Sequence, residues 1–153
     1  SLRPDTCIGV DVIVGFPGET DEFFNDTLRF LKELDVSYLH VFTYSERANT
    51  TANKMQDVVP VSKRKERSQI LHLLSERKKR AFYDSNKSSE RKVLFENEDN
   101  NGMMYGFTEN YVKIKTPYQE KLANTIQSVQ LTELDRDVIY KSAFIANAKH
   151  EVI

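Results

Sequence analysis

A sharp turn after an apolar run is the first place where this sequence could do chemistry. The stretch "DVIVGFPGET" places Gly15 and Gly18 directly before Glu19. A phosphate-binding P-loop needs the spacing G-x-x-x-x-G-K-[ST], and a dinucleotide site needs G-x-G-x-x-G. Neither spacing is present, no lysine follows the turn, and the Glu19 carboxylate would repel a phosphate. The turn therefore predicts contact with a different ligand, or a bend without a ligand.

Few residues of this sequence could bind a metal ion or act as a nucleophile. The chain of 153 residues has one cysteine, Cys7, which alone can hold neither zinc nor an iron–sulfur cluster. Its histidines, His40, His72 and His150, are far apart, so no helical pair of ligands exists. We therefore predict neither a catalytic side chain nor a metal site.

A Tyr-Lys alternation near residue 113 could bind nucleic acid. In "YVKIK", strand periodicity places Tyr111, Lys113 and Lys115 on one face and the two aliphatic residues on the other. Surfaces that bind single-stranded RNA combine aromatic rings, which stack on bases, with cations that meet phosphates. We predict RNA binding here, together with Arg91 and Lys92, and keep a solvated strand face as the alternative.

The elements around the turn form a strand, a helix and a second strand. "CIGVDVIVGF" is a Val- and Ile-rich run typical of a buried parallel strand. Thr20 is expected to cap a helix that ends near Leu34, and "SYLHVFTYS" reads as the second strand. The helix should bury an apolar stripe made of Phe24, Leu28 and Leu31, widened by Phe23 and Phe30.

A long loop and a basic helix follow. Residues 46–61 show no regular periodicity, and loops of that length are uncommon without a function. The helix predicted from Ser62 carries eight basic residues and two acids between Lys63 and Arg80. That imbalance fits either a solvated helix face or a surface for an acidic partner.

The last third of the chain changes character. After the polar linker "SNKSSER", five short β-prone runs alternate with turn signals such as Asn101-Gly102. We predict an α+β protein with two domains: residues 1–84 as an α/β domain that contains the strand, helix and strand described above, and 85–153 as a small antiparallel five-stranded β-barrel of OB type.

Composition limits the class of protein. With 39% hydrophobic and 29% charged residues, the chain should fold in water, and no apolar segment approaches the ~20 residues of a membrane span. We expect no membrane partner and a cytoplasmic location. The net charge of -1 indicates no polyanionic partner by itself, so RNA binding must come from local charge.

The ordered motifs resemble one family. "DVIVGFPGETDEFFNDTLRFLKEL", "YLHVFTYSERANTTANKM" and "VPVSKRKER" resemble the second half of the radical-SAM barrel of tRNA methylthiotransferases. "FTENYVKIK" is similar to the TRAM domain of that family, a small RNA-binding β-barrel. "HVFTYS" and "TENYVKI" look like the branch that methylthiolates threonylcarbamoyladenosine in tRNA.

This resemblance implies an enzyme of which the chain is a C-terminal fragment. The full enzyme would use S-adenosylmethionine and two 4Fe-4S clusters to add a methylthio group to a modified adenosine in tRNA. The cluster-binding cysteines of the family are missing here, so we expect the fragment to be inactive alone and to hold no cofactor. Its expected partners are tRNA, the N-terminal half of the same enzyme and a second copy of itself.

The resemblance also implies cofactor contacts. Ile13, Gly15, Phe16 and Pro17, at the end of the first strand, would meet the adenosyl group of S-adenosylmethionine. The family's loop is similar to Y-S-x-R-x-G-T-x-A, with Asn49 in place of the glycine. Asn tolerates a left-handed backbone, so the turn is expected to persist. The matching residues are Tyr44, Ser45, Arg47, Thr50 and Ala52. Tyr44 and Arg47 are predicted to contact the cofactor, with RNA as the alternative ligand of Arg47.

Two other functions remain open from the residues alone. The chain could be a free-standing RNA-binding module of TRAM type without catalysis. It could also be a protein-interaction domain whose basic helix meets an acidic partner.

Overall fold

The computed structural model describes residues 3–135 and 137–145, together with the backbone of 151 and 152. It contains two compact units. We call Ile8–Lys79 the βαβ unit, and we call Ser1–Cys7 with Arg80–Ile153 the barrel unit. Each unit is described by itself.

The βαβ unit begins with the predicted strand, helix and strand. Strand β1 is Gly9–Val14, helix α1 is Asp21–Glu33 and strand β2 is Tyr38–Thr43. The strands pair in parallel, from Gly9 opposite Tyr38 to Val14 opposite Thr43. The parallel pairing was predicted from the sequence and is confirmed, and it places the carboxyl ends of both strands at one edge.

Helix α1 starts at the predicted cap. The backbone N–H of Phe23 donates to Oγ1 of Thr20 at 3.2 Å. Phe24 and Leu31 are buried, as expected, but Phe23 and Phe30 are 58% and 61% exposed. The prediction that they widen the buried stripe was wrong, because neighbouring residues point about 100° apart on a helix. Both side chains lie outside the buried stripe.

The remainder of the βαβ unit is a loop and a long helix. A single 3-10 turn, Ala52–Lys54, interrupts the loop. Helix α2 spans Val61–Ser85, and its residues 61–79 belong to this unit. Its Leu71 is fully buried in a core shared with Val14, Phe24 and Leu39. No helix within the described residues is long and apolar enough to cross a membrane.

The barrel unit is a closed five-stranded barrel. Its strands are β3 (Glu90–Phe95), β4 (Met103–Thr108), β5 (Lys113–Pro117), β6 (Thr125–Leu134) and β7 (Tyr140–Phe144). The order is β3-β4-β5-β7-β6, and β6 pairs back with β3. This confirms the predicted small barrel; β5 and β7 are its parallel pair, and its other pairs are antiparallel. A further strand, β8 (Glu151–Val152), pairs with β6.

Apolar side chains fill the barrel. Val112 and Ile114, the two aliphatic residues of "YVKIK", are fully buried, which confirms the predicted alternation. They pack with Val93, Phe95, Met104, Leu122, Val129, Leu131 and Tyr140. Full burial of each such side chain contributes roughly 1.5–3 kcal/mol, so the core fixes which residues face outward.

Candidate functional site

An open pocket of about 410 Å³ lies at the carboxyl ends of β1 and β2. Ligands commonly bind at this edge of parallel sheets. Four of the six residues predicted to contact a cofactor line it: Ile13, Phe16, Tyr44 and Arg47. The rest of the lining is Phe42, Thr43, Ser45, Thr50 and Ala52. The structure thus brings together two sequence segments, the turn and the loop, that are about thirty residues apart.

The other two predicted residues, Gly15 and Pro17, are buried and do not line the pocket. Gly15 has a φ of 78°, and its N–H donates to Oε2 of Glu19 at 2.7 Å. A Cβ at this position would collide with Cγ of Arg64. The glycine therefore makes room for an arginine of α2, which the sequence did not indicate.

Arg64 ties the loop to the turn. Its side chain is 4% exposed, and its Nε donates to the Val59 carbonyl at 2.7 Å. Its guanidinium also donates to the Tyr44 carbonyl at 3.2 Å and forms an ion pair with Glu46 at 2.6 Å. The hydrogen bond from Arg64 holds the pKa of Glu46 below its usual value. One buried side chain therefore fixes both ends of the loop that walls the pocket.

Arg67 holds the turn in the same way. Its side chain is 4% exposed, and it donates to the carbonyl of Glu19 at 2.9 Å and to its carboxylate at 2.6 Å. A further bond to Asp21, at 2.8 Å, is the largest cause of the lowered pKa of that carboxyl. Glu19 is therefore a partner of buried arginine within the fold.

Sequence reasoning missed both arginines because it read them as part of a basic run. The helix periodicity of the sequence did indicate that both arginines face the core. Arg64 and Arg67 continue the spacing of Leu71 and Leu74 towards the start of α2, so all four fall on one helix face. Basic residues on a buried helix face need acidic or carbonyl partners, which indicates a polar network.

The loop has the backbone that the sequence predicted at Asn49. Its φ is 63°, which confirms the left-handed conformation expected of a residue that replaces glycine. Oγ1 of Thr50 donates to the Arg47 carbonyl at 2.9 Å and accepts from the Asn53 N–H at 3.3 Å. These bonds shape the loop backbone around the exposed Arg47.

Aromatic rings form the apolar side of the pocket. The rings of Phe16 and Tyr44 meet edge to face with centroids 5.3 Å apart. Ile13 and Phe42 pair across β1 and β2 and are 58% and 52% exposed. The pocket can therefore accept a flat apolar ring, while the Arg47 guanidinium can bind a carboxylate. Among the described residues, no three His, Cys, Asp or Glu side chains converge as metal ligands.

The barrel presents Tyr111 and Lys113 at its outer surface. Tyr111 is 72% exposed with a φ of 63°, and its carbonyl accepts from the Tyr83 hydroxyl at 3.3 Å. The Lys113 ammonium lies 4.6 Å from the ring centre of Tyr105 and 5.9 Å from that of Phe107. Those two aromatic rings were not among the predicted binding residues.

The other predicted RNA-binding residues are held differently. Lys115 forms an ion pair with Asp135, and the hydrogen bond between them raises the lysine pKa. Arg91 is 15% exposed and pairs with Asp5 at 2.6 Å. Lys92 is exposed, and its backbone N–H donates to the Glu109 carboxylate at 3.2 Å. Lys115 and Arg91 are thus engaged within the barrel unit itself.

The stretch "TENY" beside these residues takes part in a buried network of amide side chains. Nδ2 of Asn110 donates to Oδ1 of Asn86 and to the Asp5 carbonyl, both at 2.9 Å. Its Oδ1 accepts from the Thr108 hydroxyl at 2.7 Å, and Arg91 donates to the same Asn86 oxygen at 2.9 Å. The network holds the turn that presents Tyr111.

Comparison with known proteins indicates the class of protein to which the chain belongs. No family model matches the chain. It is 44% identical to the threonylcarbamoyladenosine tRNA methylthiotransferase MtaB of Aquifex aeolicus over 74% of the chain and 26% of the relative. The Thermotoga maritima protein of that name is 42% identical over the same shares. A tRNA-2-methylthio-N(6)-dimethylallyladenosine synthase of Symbiobacterium thermophilum is 36% identical over 86% of the chain and 28% of the relative.

The chain therefore belongs to the tRNA methylthiotransferase family. Within that family it is of the MtaB-like branch. It spans about a quarter of the length of the curated relatives that it matches.

Proposed function

We propose that this chain is the C-terminal part of a radical-SAM tRNA methylthiotransferase that modifies threonylcarbamoyladenosine. The βαβ unit supplies part of the S-adenosylmethionine site, and the barrel unit is a TRAM-type domain that binds tRNA. The observation that carries the proposal is the pocket, where Ile13, Phe16, Tyr44 and Arg47 meet at the ends of two parallel strands. The names of the relatives support the same chemistry.

The pocket residues fit part of S-adenosylmethionine. Phe16 and Tyr44 offer rings against which an adenine can pack, and Arg47 offers a guanidinium for the carboxylate. Bound there, the cofactor would supply the methyl group and the radical chemistry of the reaction. The residues do not fit a 4Fe-4S cluster, because the chain has one cysteine. We assign both clusters to the remainder of the enzyme, so this chain is inactive alone.

A binding measurement tests the cofactor proposal without activity. Because the isolated chain is expected to retain no cofactor, the measurement looks for weak, transient binding: in ligand-observed NMR at millimolar ligand, saturation should pass from the chain to the adenine protons of S-adenosylmethionine. Phe16→Ala should abolish the transfer, whereas Phe30→Ala, an exposed Phe outside the pocket, should keep it. Equal signals from the two variants, or none from the unmodified chain at millimolar ligand, would contradict the assignment.

The exposed apolar surface of the βαβ unit supports a covering partner. Ile13 and Phe42, which pair across the two strands, are each more than half exposed. We propose that the N-terminal half of the enzyme covers this surface, and that the isolated chain self-associates by strand swapping or by pairing of the outer edges of β1 and β2, which pair with no further strand among the described residues. Light scattering should show dimers or larger species, and a monomer at high concentration would contradict the proposal.

A free-standing RNA-binding module is the second candidate. The observation in its favour is the barrel, which closes on itself through the β3–β6 pair. Such a module would bind tRNA and give no S-adenosylmethionine signal, so the NMR measurement separates the two. Either function would act on tRNA, and we propose that the protein works in the cytoplasm.

A further inference from the structure

We propose that Phe107 and Lys113 form a stacking site for one unpaired base of RNA on the outer face of β3, β4 and β5. The proposal rests on the tRNA-binding role of the barrel. It assigns the base contact to Phe107, which the predicted RNA-binding residues did not include, and the phosphate contact to Lys113.

Strand register places these side chains in one row. Leu94 of β3 pairs with Phe107 of β4, and Phe107 pairs with Lys113 of β5. Leu94 and Phe107 are 43% and 37% exposed, so they form an apolar patch on the outer surface of the barrel. Directly opposite side chains in antiparallel pairs lie within roughly 5.5 Å of each other at Cβ. A base stacked on the Phe107 ring would therefore have an aliphatic neighbour on one side and an ammonium group on the other.

Tyr105 orients the lysine. The Lys113 ammonium lies 4.6 Å from the Tyr105 ring centre and 5.9 Å from the Phe107 ring centre. A cation held over an aromatic ring keeps its place with less loss of side-chain freedom when a ligand arrives. The ammonium is thus held beside the proposed base, where the phosphate of the same nucleotide would lie.

Lys115, the next lysine on this face, is engaged in an ion pair away from the proposed site. Lys115, opposite Tyr105, forms its ion pair with Asp135 at the turn between β6 and β7. Its pKa is raised, first by that hydrogen bond, so it stays charged and paired. The two lysines of "YVKIK" therefore differ in role: Lys113 is available to an anion beside an aromatic ring, and Lys115 secures the barrel.

The chemistry favours an unpaired base over a duplex. A single ring on a strand face can stack only on a base that has left its own stack, as bases in loops do. Tyr111, 72% exposed at the end of the same hairpin, adds a second ring for a neighbouring base. Its left-handed backbone, with φ of 63°, is uncommon for a bulky residue and is held by the hydrogen bond to Tyr83.

A tryptophan reporter tests the stacking directly. The chain contains no tryptophan, so Phe107→Trp places one fluorophore at the proposed site. Titration with a single-stranded RNA of about ten nucleotides should quench its emission, because a stacked base quenches indole. A matched Phe30→Trp variant, on the βαβ unit, should show no quenching. An RNA duplex of the same sequence should quench Phe107→Trp far less.

Affinity provides the second readout. By fluorescence anisotropy with labelled RNA, Phe107→Ala should weaken single-strand binding about tenfold, whereas Phe30→Ala should not change it. Phe107→Trp should bind at least as tightly as the unmodified chain, because a larger ring keeps the platform.

The outcomes separate this proposal from the broader one. If the unmodified chain binds RNA but Phe107→Ala binds equally well and Phe107→Trp is not quenched, the stacking site is wrong and tRNA binding by the barrel stands. If the unmodified chain binds no RNA at low salt, both proposals fail. Quenching by duplex equal to that by single strand would overturn the assignment to an unpaired base.

Discussion

The two units position their surface residues by different means. In the βαβ unit, buried arginines fix the pocket walls: Arg64 holds the loop, and Arg67 holds the turn. In the barrel unit, an apolar core fills the interior, and side chains such as Lys113 face outward because the alternate positions are buried. The first arrangement depends on ion pairs with a defined geometry. The second depends mainly on the alternation of buried and outward-facing residues along each strand.

This difference predicts where single substitutions do most harm. A buried ion pair that loses one partner leaves an uncompensated charge, which costs more than the loss of an exposed contact. The pocket should therefore be more sensitive than the barrel surface to changes at charged residues. The following four predictions test that contrast, from the largest expected effect to the smallest.

Arg67→Ala should destabilise the βαβ unit by about 3 kcal/mol, because it leaves the Glu19 carboxylate, 14% exposed, without its partner. Urea unfolding measures this loss. Arg77→Ala, at an exposed position on the same helix, is the control and should cost less than about 0.5 kcal/mol. Equal costs for the two arginines would show that the buried network does not stabilise the unit.

Gly15→Ala should cost about 2 kcal/mol, since the new Cβ meets both a positive φ and the Arg64 side chain. Gly18 has a φ of 87° with open space around it, so Gly18→Ala should cost only about 1 kcal/mol. In an Arg64→Ala background, the extra cost at Gly15 should disappear. Thermal unfolding of this double-mutant cycle gives the coupling, and strict additivity would contradict the packing explanation.

Lys115→Ala should lower barrel stability by about 1 kcal/mol, because the side chain of Asp135, 14% exposed, loses its ion pair. Lys113→Ala, at the neighbouring outward position, should change stability little. Hydrogen exchange at the β5 and β7 amides measures the difference. If Lys113→Ala opened these strands more than Lys115→Ala, the two roles would be reversed.

Acid should affect the pocket loop through Glu46 and the turn through Asp21. The pKa of Glu46 and that of Asp21 are lowered in the fold, from ordinary values of 4.5 and 3.8. Their stabilising contribution is complete above those values and is lost as pH falls through the lower folded values. NMR shifts of the Tyr44 and Glu46 amides should therefore be constant from pH 7 to about 5 and change below about 4. A Glu46→Gln variant should lose its share of that change, and an unaltered profile would contradict the ion pair.

The sequence predicted the barrel better than the pocket. Alternation in "YVKIK" is sufficient to assign Val112 and Ile114 to the core, because strand faces repeat every two residues. The pocket depends on Gly15 beside Arg64 and on Tyr44 beside Phe16, contacts between segments distant in the chain. The role of Lys115 was also beyond local pattern, since its partner Asp135 lies twenty residues later. The resemblance to a family predicted four of the residues that line the pocket. The contact with Arg64 then explained why a glycine stands at position 15.

Binding of tRNA to this chain across a salt series, with Lys113→Ala and Lys115→Ala in parallel, tests the central claim most directly. We predict that affinity falls steeply with salt, and that Lys113→Ala lowers the salt slope by about 1 while Lys115→Ala leaves it unchanged. Absence of binding at low salt would contradict the claim that the barrel unit holds tRNA.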